Sequence, residues 1–317
     1  MPVSARTLHG ILVFFLLNGC AGATGLTGPR SGYVFDPRNE SVVPIIGVPG
    51  GSQLGSPVVQ GLKKASIAPN GRTALALLED GVYWFQDVER NEPLRIDSLA
   101  KWPDLVAWSG DSSAAVLYFS EEHSIRILTR ESVPEVRTVE TPGFEEPITA
   151  LATASGGRAV LFAIGDGASR VFRIGDEGAI SEIGSFDGPV RFSSSSDGRR
   201  VFVMERSGRL LSVDLAAGYG IQEILAAEVS LPEPVGVQEQ GDKIYVAYVS
   251  TPVVRAYQLP AASPIHEIAL DSPPDGLTPI SATRFLLTQP GIAPVLWLFD
   301  AGATPGAYFV ATGQGRE

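Results

Sequence analysis

The residues from Val190 to Leu215, VRFSSSSDGRRVFVMERSGRLLSVDL, alternate short runs of β-branched and aromatic residues with glycine-bearing breaks. The pattern predicts three strands, Val190–Ser193, Arg200–Glu205 and Arg209–Asp214. They are joined by turns at Ser196-Asp197-Gly198-Arg199 and Arg206-Ser207-Gly208, where glycine supplies the positive φ that tight turns require. A meander with apolar residues on both faces cannot bury both by itself. It must therefore recur, so that copies stacked face to face cover one another.

It does recur. Equivalent turns fall at Asn70-Gly71-Arg72, Gly110-Asp111-Ser112, Ser155-Gly156-Gly157-Arg158, Gln240-Gly241-Asp242-Lys243 and, without glycine, Ala282-Thr283-Arg284. Aligning Arg72, Ser113, Arg158, Arg199, Lys243 and Arg284 gives a period of roughly 42 residues, the length of one four-stranded propeller blade. Each unit has a further outer strand, expected at Leu94–Leu99, Val136–Val139, Ile180–Phe186, Ile221–Leu225, Ile265–Leu270 and Ala307–Ala311. The fold class is therefore all-β, a β-propeller of four-stranded antiparallel blades with strands a to d running outward from the axis. Six complete units occupy Lys64 to Thr312, and the hairpin Tyr33–Ile46 reads as an extra c-d pair that closes the ring. The alternative is seven blades, the seventh built partly from residues 24–62. Six is favoured because no inner strand for a seventh is evident. Closure itself follows from the need to remove exposed sheet edges.

With 44% apolar and 19% charged residues, the composition is that of a protein with ample core, not of a disordered chain. The formal net charge of −11 argues against the basic groove of a nucleic-acid binder.

Residues 1–23 read as a signal peptide: Arg6, then the apolar run Leu8–Leu17, then small residues. The run is about ten residues, roughly half a membrane span. Leu17-Asn18-Gly19-Cys20 resembles a bacterial lipobox, with Asn18 an unusual occupant, and Cys20 is the chain's single cysteine, so lipidation at Cys20 is expected. Ala21 after it then implies the outer membrane, on its periplasmic face or at the cell surface. Cleavage after Ala23, giving a soluble periplasmic or secreted protein, is the alternative, and an uncleaved anchor is a third reading. Residues 24–31 form a linker, 32–312 the propeller and 313–317 a tail.

The strings SIAPNGRTALAL (66–77) and FSSSSDGRRVFV (192–203) resemble the SPDG-type repeats of bacterial β-propellers of the TolB-like, YVTN and lactonase-like groups. Ala68-Pro69 and Ser194-Ser195 depart from the Ser-Pro of that pattern. The resemblance covers nearly all of the mature chain, but it rests on turn and strand chemistry that many functions share, and no functional residue transfers with it.

Several residues carry candidate chemistry. Glu121-Glu122-His123 is a conceivable metal cluster, but a solvated loop tip is the favoured reading. Lactonase-like propellers hold a divalent cation on axial Glu, Asn and Asp, for which Glu145, Glu146, Asp104, Asn70 and Glu233 are the candidates, each also readable as an ordinary loop residue. The run Ser193–Ser196 offers hydroxyls without a base and reads as turn chemistry. No phosphate loop and no nucleophile elbow is present, so no catalytic residue, metal or cofactor is expected. Among Trp84, Trp102, Trp108 and Trp297, Trp102 is the surface candidate for partner binding. The Gly/Pro/Ser-rich loop 48–57, with Gln53 and Leu54, is the other, taken to lie near the axis. The expectation is a monomeric, non-catalytic exported scaffold for another envelope or secreted protein, or for another envelope component. The alternatives are a periplasmic small-ligand or sensor module and a lactonase-like or sugar-dehydrogenase-like propeller enzyme.

Overall fold

The computed structural model describes residues 28–311 except 131–134, 142, 145, 176, 216–217, 228–230 and 289–294. The signal segment 1–23 with Cys20, the first half of the linker (24–27), the candidate ligand Glu145 and the tail 313–317 lie outside the described residues. Seven antiparallel sheets of four strands each form a ring, a β-propeller. In the second to seventh sheets the strands pair in chain order. The fifth runs Val190–Ser194, Arg200–Glu205, Leu210–Asp214 and Ile221–Leu225.

Burial explains the apolar pattern strand by strand. Second strands are covered on both faces by neighbouring sheets, so they read as continuous apolar runs instead of alternating ones. All six residues of Ala114–Phe119 are buried. Outer strands such as Ile221–Leu225 carry polar residues because they are largely exposed. One apolar cluster fills each of the seven gaps between adjacent sheets, from Tyr33, Val42 and Ala74 between the first and second to Ile45, Ile280 and Leu298 between the seventh and first. An open stack would leave one of those gaps unfilled, so the ring is closed.

Three of the turns between first and second strands share one polar device. In the fifth sheet Asp197 Oδ1 accepts from Ser195 Oγ (2.6 Å) and from the Arg199 amide (3.0 Å), while Ser195 Oγ accepts from the Arg200 amide (2.9 Å). In the third sheet Asp111, Ser109, Ser113 and Ala114 repeat the arrangement. In the second, Asn70 Oδ1 accepts from the amides of Arg72 and Thr73, both at 2.9 Å. Short Asx-type caps of this kind reverse the chain without needing partners from elsewhere.

Seven sheets, not six, correct the favoured count. The N-terminal hairpin, Arg30–Asp36 paired with Ser41–Ile46, is a sheet in its own right, completed by Gln53–Leu54 and Val59–Gln60, which share the far edge of Ser41–Ile46. Its polarity also differs from the expected c-d pair. Ser31 accepts from Arg284 Nη1 (2.7 Å), and Gly32 lies against Ile280, so the start of Arg30–Asp36 is on the face where the other inner strands end. Its far end is on the opposite face, where the Leu62 amide donates to the Glu40 carbonyl (2.9 Å). Arg30–Asp36 therefore runs as a second strand does. No described strand stands on its inner side, which is why no inner strand was evident. Instead, the seventh and second sheets meet in front of it: a Cβ on Gly71 would lie 2.1 Å from the Ile280 carbonyl oxygen.

The loop expected near the axis lies elsewhere. Gln53 forms a parallel bridge with Ala311, and Ala311 donates to Ser52 and accepts from the Leu54 amide, both at 3.0 Å. The segment thus joins the two ends of the domain at the outer edge of the first sheet. It is held there because its backbone groups find strand partners on both sides.

Candidate functional site: the central channel and its mouth

Six inner strands, without the first sheet, surround a channel of about 630 Å³. Its wall is formed by the strand residues Leu105–Trp108, Arg191–Ser194 and Val235–Glu239 and by the segment 275–279. On the face where the inner strands begin, it opens into a mouth of about 720 Å³ around Thr149, Arg191, Phe192, Met204, Arg206 and Glu233. Volumes of a few hundred Å³ are those of ligand sites, and here the lining is about as polar as it is apolar.

Side-chain hydrogen bonds tie the wall across sheets. Ser193 Oγ donates to the Val237 carbonyl (2.7 Å), Ser194 Oγ to the Thr153 carbonyl (3.1 Å), and Gln238 Nε2 to the Leu277 carbonyl (3.0 Å). The serine run is therefore more than turn chemistry: two of its hydroxyls bind neighbouring inner strands. Trp108 Nε1 donates to Ser66 Oγ (2.9 Å), which fixes one edge of its ring while the indole lines the channel.

Five charged residues line channel and mouth: Arg191, Arg206, Glu233, Glu239 and Asp275. Glu239 is ion-paired with Arg200, and its side chain keeps only 9% exposure. Burial pushes the Glu239 carboxyl up, against the opposing pull of Arg200. Glu233, at φ 61°, is one of the non-glycine residues in the left-handed region. Ser250 Oγ donates to its Oε2 (2.5 Å) and Arg206 Nε to its Oε1 (2.6 Å), and these bonds, the Ser250 one first, hold the carboxyl below its usual range. Asp275 is engaged as well. Arg191 is exposed, and its side chain has no hydrogen bond or ion pair to another described residue.

The candidate cation ligands are not brought together. Asp104 is exposed and accepts from the Ser120 amide and hydroxyl, at 2.7 and 2.6 Å. Asn70 caps its turn on the opposite face, Glu146 lies beside Gly165, and Glu233 is bound to Arg206 and Ser250. No group of three or more His, Cys, Asp or Glu side chains suited to a metal occurs among the described residues. Glu121 and Glu122 are paired with Lys101, and Glu122 also with Arg126, while His123 stands at φ 46° in the loop tip. His266 is in the exposed outer strand Ser263–Ala269.

Of the tryptophans, Trp84 is fully buried with its ring centroid 5.2 Å from that of Trp108, and Trp297 meets Phe309 edge to face. Trp102 is half-buried against the core between the second and third sheets. Leu54 packs into the core between the seventh and first sheets, with Gln53 beside it at the seam. Sequence reasoning missed Arg191 and Arg206. For Arg191 the signal available was a charged residue within an inner strand, between Val190 and Phe192; Arg206, in the turn after Arg200–Glu205, carried no comparable signal.

No known family model matches the chain, and no curated protein matches it in sequence. Solved structures do. A functionally unknown protein from Desulfotomaculum acetoxidans superposes with a TM-score of 0.58 at 13% identity, over 89% of this chain and 100% of that one. Virginiamycin B lyase from Staphylococcus aureus gives 0.53 at 14% identity, over 80% and 84%. Hydrazine synthase from Kuenenia stuttgartiensis gives 0.53 at 12%, over 86% and 96%. At these identities the likeness is one of fold, and with the seven sheets and their closed ring it shows that this chain is a seven-bladed β-propeller.

Proposed function

We propose that this chain is an exported propeller, tethered by lipid at Cys20, that binds another protein or other component of the cell envelope and does no chemistry on it. The observation that carries this reading is the state of the acids around the channel. Glu233 and Glu239 are each committed to an arginine, and Asp104 and Glu146 stand apart from them. A hydrolase or lyase site needs titratable groups converging on one reacting atom. A histidine-to-alanine variant of the S. aureus lyase is catalytically inactive, whereas His123 and His266 of this chain lie away from its channel. A second reading, a small-ligand module, is favoured by the volume of the channel and by the apolar stretch of Leu151, Phe192, Met204 and Val235 in its wall.

Two measurements on the purified full-length protein test the proposal. Mass spectrometry of the mature N-terminus is expected to find a diacylated Cys20; a chain beginning at residue 24 would remove the tether. Incubation with lactone and sugar substrates, with and without divalent cations and a quinone acceptor, is expected to give no turnover above background. Turnover by folded protein would overturn the non-catalytic reading.

A further inference from the structure

The mouth has a charge balance that the rest of the site does not account for. Of the five charged residues around channel and mouth, four have partners and Arg191 has none among the described residues. Arg206 adds a second guanidinium to the same mouth. It is oriented by Glu233, which takes its Nε and Nη2 and leaves Nη1 unbound by that pair. Below these groups Leu151, Phe192, Met204 and Val235, shared by the mouth and the channel, form an apolar stretch of wall. Trp108 stands further along the channel.

We propose that Arg191, with Arg206 beside it, binds the carboxylate of a small amphiphilic ligand whose aromatic or aliphatic body enters the channel between Phe192, Met204 and Val235. This deepens the small-ligand reading above and rests on it. A guanidinium offers paired N–H donors matched to a carboxylate, and the apolar wall supplies the area that holds the rest of the molecule. The expected charge is a single negative one. The groove that continues outward from the mouth carries Asp166, Asp187 and Glu205, and with the net charge of −11 these disfavour a dianion such as phosphate.

The test is calorimetric titration of the full-length protein with benzoate, 2-naphthoate and 4-phenylbutyrate and with the three corresponding amides. At least one carboxylate is expected to bind, with its amide weaker by about ten-fold or more, the scale of a lost charged hydrogen bond. Arg191→Gln is expected to weaken the carboxylate by a similar factor and to leave the amide unchanged, and Arg191→Lys to fall between. Because Arg191 is exposed, these variants are expected to melt like the parent. No binding by any of the three acids, parity of acid and amide, or an unaffected Arg191→Gln variant would each overturn the proposal. Those failures are separable from failure of the binding reading, which falls on substrate turnover, a measurement made without these compounds.

Discussion

Gly71→Ala is expected to destabilise the protein by about 2–5 kcal/mol in denaturant titration followed by far-UV circular dichroism. Two costs add. Gly71 has φ 70°, and an L-residue held in that region loses about 1–2 kcal/mol. Its new Cβ would also sit 2.1 Å from the Ile280 carbonyl oxygen, a backbone atom that moves only with the seventh sheet, and overpacking of this kind costs about 1–3 kcal/mol. Gly241 separates the two. It occupies the corresponding turn of the sixth sheet at φ 63°, with nothing within 4 Å of its built Cβ. Gly241→Ala is thus expected to show the backbone cost alone, about 1–2 kcal/mol. Equal losses at the two positions would mean that the second and seventh sheets do not meet at Gly71.

Trp84→Ala is expected to cost about 3–5 kcal/mol, the range for deleting a large buried aromatic. Trp84 is fully buried between the second and third sheets, among Leu75, Leu99 and Leu117 and against Trp108. Its indole N–H is buried and finds no hydrogen-bond partner among the described residues. Trp84→Phe removes that unpaired donor, which by itself costs about 1–3 kcal/mol to bury, while giving up part of the ring volume. The opposing effects leave a net change of about 1 kcal/mol or less in either direction. The two variants are compared by their denaturation midpoints, and a loss under about 1 kcal/mol for the alanine variant would contradict the packing of these two sheets.

Much of this architecture can be read from residue order because its signals are local. The turn caps at Asn70, Asp111 and Asp197 act within five residues of themselves. The second strands are apolar on both faces whatever sheet lies beside them. The outer strands at Ile180–Phe186 and Ile221–Leu225 are found where they were expected, and Pro93–Arg95 stops short of the expected Leu99. The first sheet was harder for a physical reason. Whether Tyr33–Ile46 acts as an outer pair or as a sheet of its own depends on what docks against Tyr33 and Val34 on its two faces, and those contacts come from Ala74 and from Leu298, far along the chain. The same holds for the site. Trp108 was a candidate and does line the channel, but Arg191 matters because Glu233 and Glu239, which line the same mouth and channel, are paired with Arg206 and Arg200 instead, and that is decided by the ring. Loop 48–57 has the composition of an exposed connection, yet its bridge to Ala311 makes it part of the seam.

That seam offers the most direct test of a closed seven-sheet ring. Gln53 and Ala311 are bridge partners, and neighbouring strand residues lie at the roughly 5 Å Cα separation that a disulfide accommodates. In a Cys20→Ser background, Gln53→Cys with Ala311→Cys is oxidised under dilute conditions, and the digest is analysed by mass spectrometry. A closed ring gives a monomer whose peptides containing positions 53 and 311 are linked in near-complete yield, with native-like thermal stability or better. Free thiols throughout, or links found only between separate molecules, would contradict it.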